Sequence, residues 1–169
     1  LTGEAHRVGA MGQHYVSGAL LGSGAALSGV SVHLIGDDPA LALLELYAAK
    51  LAAAGLGVPG VSLFVNHMPA TVNAGIMLRN KLAGIQIDWE IPKLYHGGFQ
   101  IIIRNSDNLS GEALADALIA ALTAETEFLL GPRLRVRYCT PITLPISYRL
   151  SPADATEWSL NFEICFQVL

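Results

Sequence analysis

Apolar and polar residues alternate without a break over residues 157–168, close to the end of the printed sequence. Neighbouring residues of a β-strand point to opposite faces of a sheet, so this period of two predicts a long strand with one buried face. The expected buried face is Trp158, Leu160, Phe162, Ile164, Phe166 and Val168, and the expected polar face is Glu157, Ser159, Asn161, Glu163, Cys165 and Gln167. A chain with such a strand needs an apolar core on one side of a sheet.

Other strands are predicted from β-branched and aromatic runs between turn residues. Three consecutive isoleucines in Phe99–Arg104 indicate burial on both faces and a central position in the sheet. Alternation over residues 85–90 predicts a half-buried strand with Ile85, Ile87 and Trp89 on its apolar side. The remaining predicted strands are Val61–Asn66, Ile76–Leu78, residues 133–138 and Ile142–Tyr148, the last an edge or bent strand because Pro141 and Pro145 interrupt it.

Two helices are predicted. The first spans Pro39–Ala54, with Asp38 as its N-cap and Gly55 as its stop. The second begins at Ser110 as its cap and buries a stripe of Leu114, Leu118, Ala121 and Leu122. The sum is an α+β fold, in which a single antiparallel or mixed β-sheet has two helices packed on one face.

The chain divides by composition into a glycine-rich N-terminal arm, residues 1–36, and a compact domain, residues 37–169. The arm holds 8 of the 17 glycines, which weaken helices and strands alike, so we expect an extended segment with at most a short strand at Val30–Ile35. It either becomes ordered against a neighbouring subunit or is a tail without a function. Residues 8–36 carry no Asp, Glu, Lys or Arg, but their many glycines and serines argue against a membrane span.

Charge sets limits on the partners. Only 14% of residues are charged, against about 25% in an average soluble domain, which suggests that part of the surface is covered by other subunits. The net charge of -4 argues against broad, non-specific binding of duplex DNA, which rests on Lys and Arg.

Residues for catalysis or metal binding do not form a recognisable pattern. The sequence lacks the common hydrolase, metalloprotease and phosphate-loop motifs, and its five histidines are scattered. Cys139 and Cys165 are far apart and lack metal-site spacing, so we expect reduced, half-buried thiols. No cofactor is expected. A small enzyme using Asp88, Glu90 and His96, or a ligand-binding regulatory module that dimerises through its sheet, remains an alternative.

Three arginines stand out on the strand predicted over residues 133–138. Arg133, Arg135 and Arg137 would lie on one face, about 7 Å apart, and would repel one another without compensation. Three partners are open: Glu157 and Glu163 on a neighbouring strand, acidic residues of another subunit, or nucleic acid phosphates. We therefore take Arg133, Arg135, Arg137, Glu157 and Glu163 as candidate residues of a subunit interface or of a lumen.

A series of short motifs in the compact domain resembles one family of viral proteins. They are MLRN at 77–80, LAG at 82–84, EIP at 90–92, GFQIIIR at 98–104, GEAL at 111–114, RYCTP at 137–141, TLP at 143–145 and EWSLNFEICF at 157–166. Their order and character are similar to those of the phage tail terminators, a group of minor capsid or tail-completion proteins, over about residues 38–169. The glycine-rich arm departs from the short N-termini expected of that family.

The resemblance implies a structural virion protein without catalytic residues. Such a protein forms a ring, usually a homo-hexamer, that caps the finished tail tube and then meets the head connector or head-closure protein. Genome DNA would pass through the lumen without specific recognition, and no membrane is involved. The expected location is the neck, at the tail-head junction of a virion assembled in the host cytoplasm. Tail-tube and connector subunits have a similar fold and are the alternatives.

Overall fold

A computed structural model describes residues 39–150 and 155–169. The glycine-rich arm, the predicted strand at Val30–Ile35 and the predicted cap Asp38 lie outside these residues.

The described chain contains two helices and seven strands. In chain order they are α1 (Pro39–Ala53), β1 (Leu63–Val65), β2 (Gly75–Ile87), β3 (Leu94–Asn105), α2 (Asn108–Leu122), β4 (Phe128–Leu130), β5 (Leu134–Pro141), β6 (Ile146–Leu150) and β7 (Ala155–Val168). The predicted α+β class is confirmed.

All seven strands belong to one curled, mixed sheet. Its order is β1-β2-β3-β7-β5-β4, and β6 pairs with the first part of β7, on the side where β5 pairs with its later part. The β1–β2 pair is parallel and the others are antiparallel. β3 is central, as predicted, and Ile101, Ile102 and Ile103 are all buried.

The core lies on the face that the alternation of β7 predicts. Three cross-strand pairs between β3 and β7 form its centre: Phe99 with Phe162, Ile101 with Leu160, and Ile103 with Trp158. The same cluster includes Tyr47 and Leu51 of α1 and Leu118 of α2. Each fully buried side chain of this size stabilises the fold by about 1.5–3 kcal/mol.

The strand predicted over residues 85–90 is wrong in extent and in burial. It is the end of a longer strand, β2, which bulges between Asn80 and Ile85 and stops at Ile87. The Asp88 carboxylate accepts backbone N–H bonds from Glu90 and Ile91, which closes a turn where the alternation suggested a strand. Trp89, expected on the apolar side, is 94% exposed.

The cap predicted for α2 is also wrong. Asp107 is the N-cap residue, and its side chain accepts bonds from the backbone N–H and the hydroxyl of Ser110. Ser110 therefore lies inside the helix as the donor. One residue on, Gly111 lies so close to the indole ring of Trp158 that a β-carbon there would clash with it.

The arginine-bearing strand begins one residue later than predicted and extends further, to Pro141. β5 starts at Leu134, so Arg133 precedes it, and a register shift between Val136 and Tyr138 places Arg137 at a bulge. A bulge changes the direction of the side chain at that point. The three arginines therefore do not form the regular row that alternation predicts.

Candidate interaction surface

The face of the sheet opposite the core carries a row of polar side chains across β2, β3, β7 and β6. Arg104 and Glu157 lie directly opposite each other in this row, on β3 and β7. Arg104 Nη2 and Nε lie 2.8 and 2.9 Å from Glu157 Oε1, and the two side chains are 16% and 10% exposed. This geometry makes a charge-assisted pair that is shielded from water.

Arg104 also holds the loop that leads into β2. Its Nη1 donates to the carbonyl oxygens of Val72, at 3.0 Å, and Pro69, at 3.3 Å. On β6, burial and then the hydrogen bond with Glu157 raise the pKa of Tyr148. Glu157 is therefore part of a structural network, and its contacts lie within the chain.

Gln100 links two further strands on the same face. Its Oε1 accepts from Arg79 Nε at 2.7 Å, and its Nε2 donates to Ser159 Oγ at 2.6 Å. These bonds tie β2, β3 and β7 together across their polar face.

The arginines of β5 pair with a carboxylate that the sequence did not single out. Arg135 Nε and Arg137 Nε each lie 3.3 Å from an oxygen of Glu127, which precedes β4. All three side chains remain 40–47% exposed, so each pair contributes little to stability. Glu157, one of the predicted partners, instead binds Arg104.

Arg133 and Glu163, the other two candidates, are both exposed. The backbone carbonyl of Arg133 accepts from Leu169 N at 2.8 Å. Tyr138 lies near Glu163; burial first, and then this carboxylate, raise the pKa of the phenol. The structure thus brings Arg135 and Arg137 together on Glu127. Arg133 directly precedes their strand, and Glu157 and Glu163 lie elsewhere on the polar face.

The turn between β2 and β3 presents apolar side chains to solvent. Ile87, Trp89 and Ile91 are 58%, 94% and 46% exposed. The N–H groups of Ile91 and Glu90 hold the pKa of the Asp88 carboxyl below its usual range, and His96 Nε2, 3.3 Å from Asp88 Oδ2, adds to this. The turn is thus closed by its own hydrogen bonds, and its apolar side chains are exposed to solvent.

The residues proposed for a small enzyme are only partly brought together. Asp88 contacts His96, whereas the side chain of Glu90 is exposed and its backbone N–H donates to Asp88 within the turn. The cysteines, predicted to be reduced, are free and buried, and burial raises the pKa of the Cys139 thiol to about 11. A thiol that is protonated at neutral pH is a poor nucleophile.

Within residues 39–150 and 155–169, three or more His, Cys, Asp or Glu side chains do not gather in a way that would hold a metal ion. The helices of this part of the chain are too short or too polar to cross a membrane.

Comparison with known proteins decides between the classes of function. A family model described as bacteriophage tail terminator protein matches residues 50–168, more than two thirds of the chain. The chain belongs to the bacteriophage tail terminator family. This family consists of structural tail proteins, so the chain is a virion component and the alternative of a small enzyme is set aside.

A solved structure agrees in fold. A chain from the virion of a native gene transfer agent particle matches with a TM-score of 0.54 and 18% identity, over 77% of this chain and 99% of its own. A second solved chain, 13% identical, reaches a TM-score of 0.41 over 74% of this chain and 94% of its own, a similarity on which we base no argument. Among proteins of curated function, none matches the sequence at a significant level.

Proposed function

We propose that this tail terminator forms a closed ring, a homo-hexamer by its resemblance to the family, on the end of the finished tail tube. The ring blocks further addition of tube subunits and offers the head connector or head-closure protein a docking surface at the neck. The observation that carries this proposal is the family match, which extends from the end of α1 to the last residue of β7.

The proposed ring is built head to tail, with different surfaces of each subunit in contact. The sheet supports this, because it ends in β1 and β2 on one side and in β4 and β6 on the other, and these edges are unlike. A heterologous contact closes into a ring when the rotation from one subunit to the next is a whole fraction of a full turn. The helices contribute Tyr47, Leu51 and Leu118 to the core, so we assign the opposite, polar face, with Arg135, Arg137 and Glu163, to contacts with neighbouring subunits or to the lumen.

The lumen passes DNA without reading its sequence. A net charge of -4 on each chain supports this, since binding along a duplex requires an excess of Lys and Arg. We assign the glycine-rich residues 1–36 to contact with an adjacent subunit or the connector.

Tail length tests the function. In an infection that lacks this chain, we expect tubes that grow past their normal length and fail to join heads, and both defects should disappear when the chain is supplied from a plasmid. Tails of normal length that still fail to join heads would support a head-closure role. Complete absence of tube would indicate that the chain is the tube subunit.

A further inference from the structure

The turn between β2 and β3 and the β4–β5 edge lie at the same end of the sheet, on opposite sides. One row of paired residues runs across five strands at this end: Ile87, Tyr95, Phe166, Val136 and Phe128. Leu94, at the β3 end of this turn, is connected through its paired residues Gln167 and Arg135 to Leu129, three strand spacings or about 14 Å away, so the turn does not reach Leu129 of its own chain. In a head-to-tail ring, opposite sides of neighbouring chains face each other.

The turn surface, residues 87–93, is apolar with an acidic rim. Ile87, Trp89 and Ile91 are exposed around it. Its charged residues are Asp88 and Glu90, against Lys93, which leaves one net negative charge. An almost fully exposed tryptophan next to two isoleucines is unusual for a surface that meets only water, and such patches mark interaction sites.

The edge surface, at β4 and β5, has the opposite character. It consists of Leu129, 63% exposed, and the arginines at 133, 135 and 137. Leu129 lies directly opposite Arg135 in the β4–β5 register. Glu127 offsets one of the three guanidinium charges, which leaves a net charge of two.

We propose that the turn surface of one subunit docks on the edge surface of the next copy of this chain. Trp89 covers Leu129 and presents its ring face to a guanidinium of the arginine group, and Glu90 lies against Arg133. A tryptophan face attracts arginine by a cation–π interaction, and aromatic and arginine residues are enriched at interfaces. This inference rests on the proposed ring and gives it a specific subunit contact.

Disulfide trapping tests the contact directly. We would prepare one full-length chain with Trp89→Cys and another with Leu129→Cys, and oxidise them separately and mixed, under conditions in which the unsubstituted chain forms rings. The native Cys139 and Cys165 are buried and give little background. The contact predicts covalent dimers in the mixture, none in either chain alone, and a ladder up to the full ring in the chain that carries both cysteines.

The control partner is Leu144→Cys, because Leu144 is 85% exposed and lies outside both surfaces. Mixed with the Trp89→Cys chain, it should give no dimers. Dimers of the Trp89→Cys chain alone would overturn the proposal in favour of a two-fold contact through the turn.

Shortening the side chain at position 89 gives an independent measurement. Trp89→Ala should raise the concentration at which half of the chain is assembled by roughly tenfold or more, the effect of removing a central aromatic anchor, whereas Leu144→Ala should not change it. Rings of normal stability from Trp89→Ala, without trapped dimers, would overturn this contact and leave the ring intact. Failure of the unsubstituted chain to form rings, alone or on tube ends, would instead overturn the proposed function.

Discussion

Arg104 and Glu157 bring two opposite charges together with only 16% and 10% of their side-chain surfaces in water. The cost of removing charges from water is large, and it is offset here by the pair itself and by the carbonyl oxygens of Pro69 and Val72. Since both members of the pair find partners within the chain, their function at the residue scale is to fix the polar face.

Removing one member of this pair should lower the free energy of unfolding more than replacing both members with apolar residues. Arg104→Met leaves the Glu157 carboxylate buried without its partner, and we expect the free energy of unfolding to fall by about 3–5 kcal/mol. The double change Arg104→Met with Glu157→Leu should recover most of that loss, because it buries no uncompensated charge. Urea unfolding of the three proteins measures both values. A double variant as unstable as the single one would show that the packing of Arg104, rather than its charge, matters.

Helix α2 depends, at the scale of elements, on two local contacts that a pattern of apolar residues does not reveal. Asp107 caps its first turn, and Gly111 allows Trp158 to pack against the helix backbone. The first contact depends on charge and the second on shape.

A side chain at position 111 should force the helix and β7 apart. Gly111→Ala would set a β-carbon against the Trp158 ring, and overpacking of this kind costs typically 1–3 kcal/mol. Glu112→Ala, at the next and exposed position, is the matched control and should change little. Thermal melting measures the effect, and adding Trp158→Phe should relieve part of the clash. Equal melting temperatures for Gly111→Ala and the control would contradict the close packing.

The cap of α2 should make stability depend on pH in acid. The Ser110 hydroxyl, and then its N–H, bind the Asp107 carboxylate and lower its pKa from 3.8. A carboxyl whose pKa is lower in the folded chain adds stability above its unfolded value, and this is lost as the pH falls through the folded value. The stability advantage over Asp107→Asn should thus be constant near neutral pH and shrink below about pH 3.8. An advantage that stays constant down to acid unfolding would contradict this.

The elements that could be predicted from sequence are those whose patterns depend on one property. The alternation of β7 and the isoleucines of β3 reflect burial, and both strands contain the predicted segments, although β3 begins at Leu94, before the predicted start at Phe99. The turn at Asp88 could not be predicted, because a side-chain bond to the backbone overrides the alternation of its neighbours. The partners of Arg104, Arg135 and Arg137 depend on strand register, which the sequence does not provide.

On the scale of the whole molecule, family membership makes the chain a structural tail protein, and the arginine group is the part of its surface that we expect to act between subunits. Arg135→Glu would place a second carboxylate beside Glu127 and cancel the net positive charge of the edge surface. We expect rings to be lost and infectivity to fall, with the melting temperature of the subunit nearly unchanged because the pair is exposed. Light scattering and plaque counts measure this. Intact assembly and infectivity in this variant would show that the arginines have no role between subunits.

The most direct test of a capping ring is where, and in how many copies, the chain occurs on a tail. Electron cryomicroscopy of purified tails, with this chain labelled, measures both at once. The account predicts a single closed ring at the head-proximal end of every tube, about 107 kDa for six copies of 17.9 kDa. Label repeated along the length of the tube, or absent from its end, would contradict it.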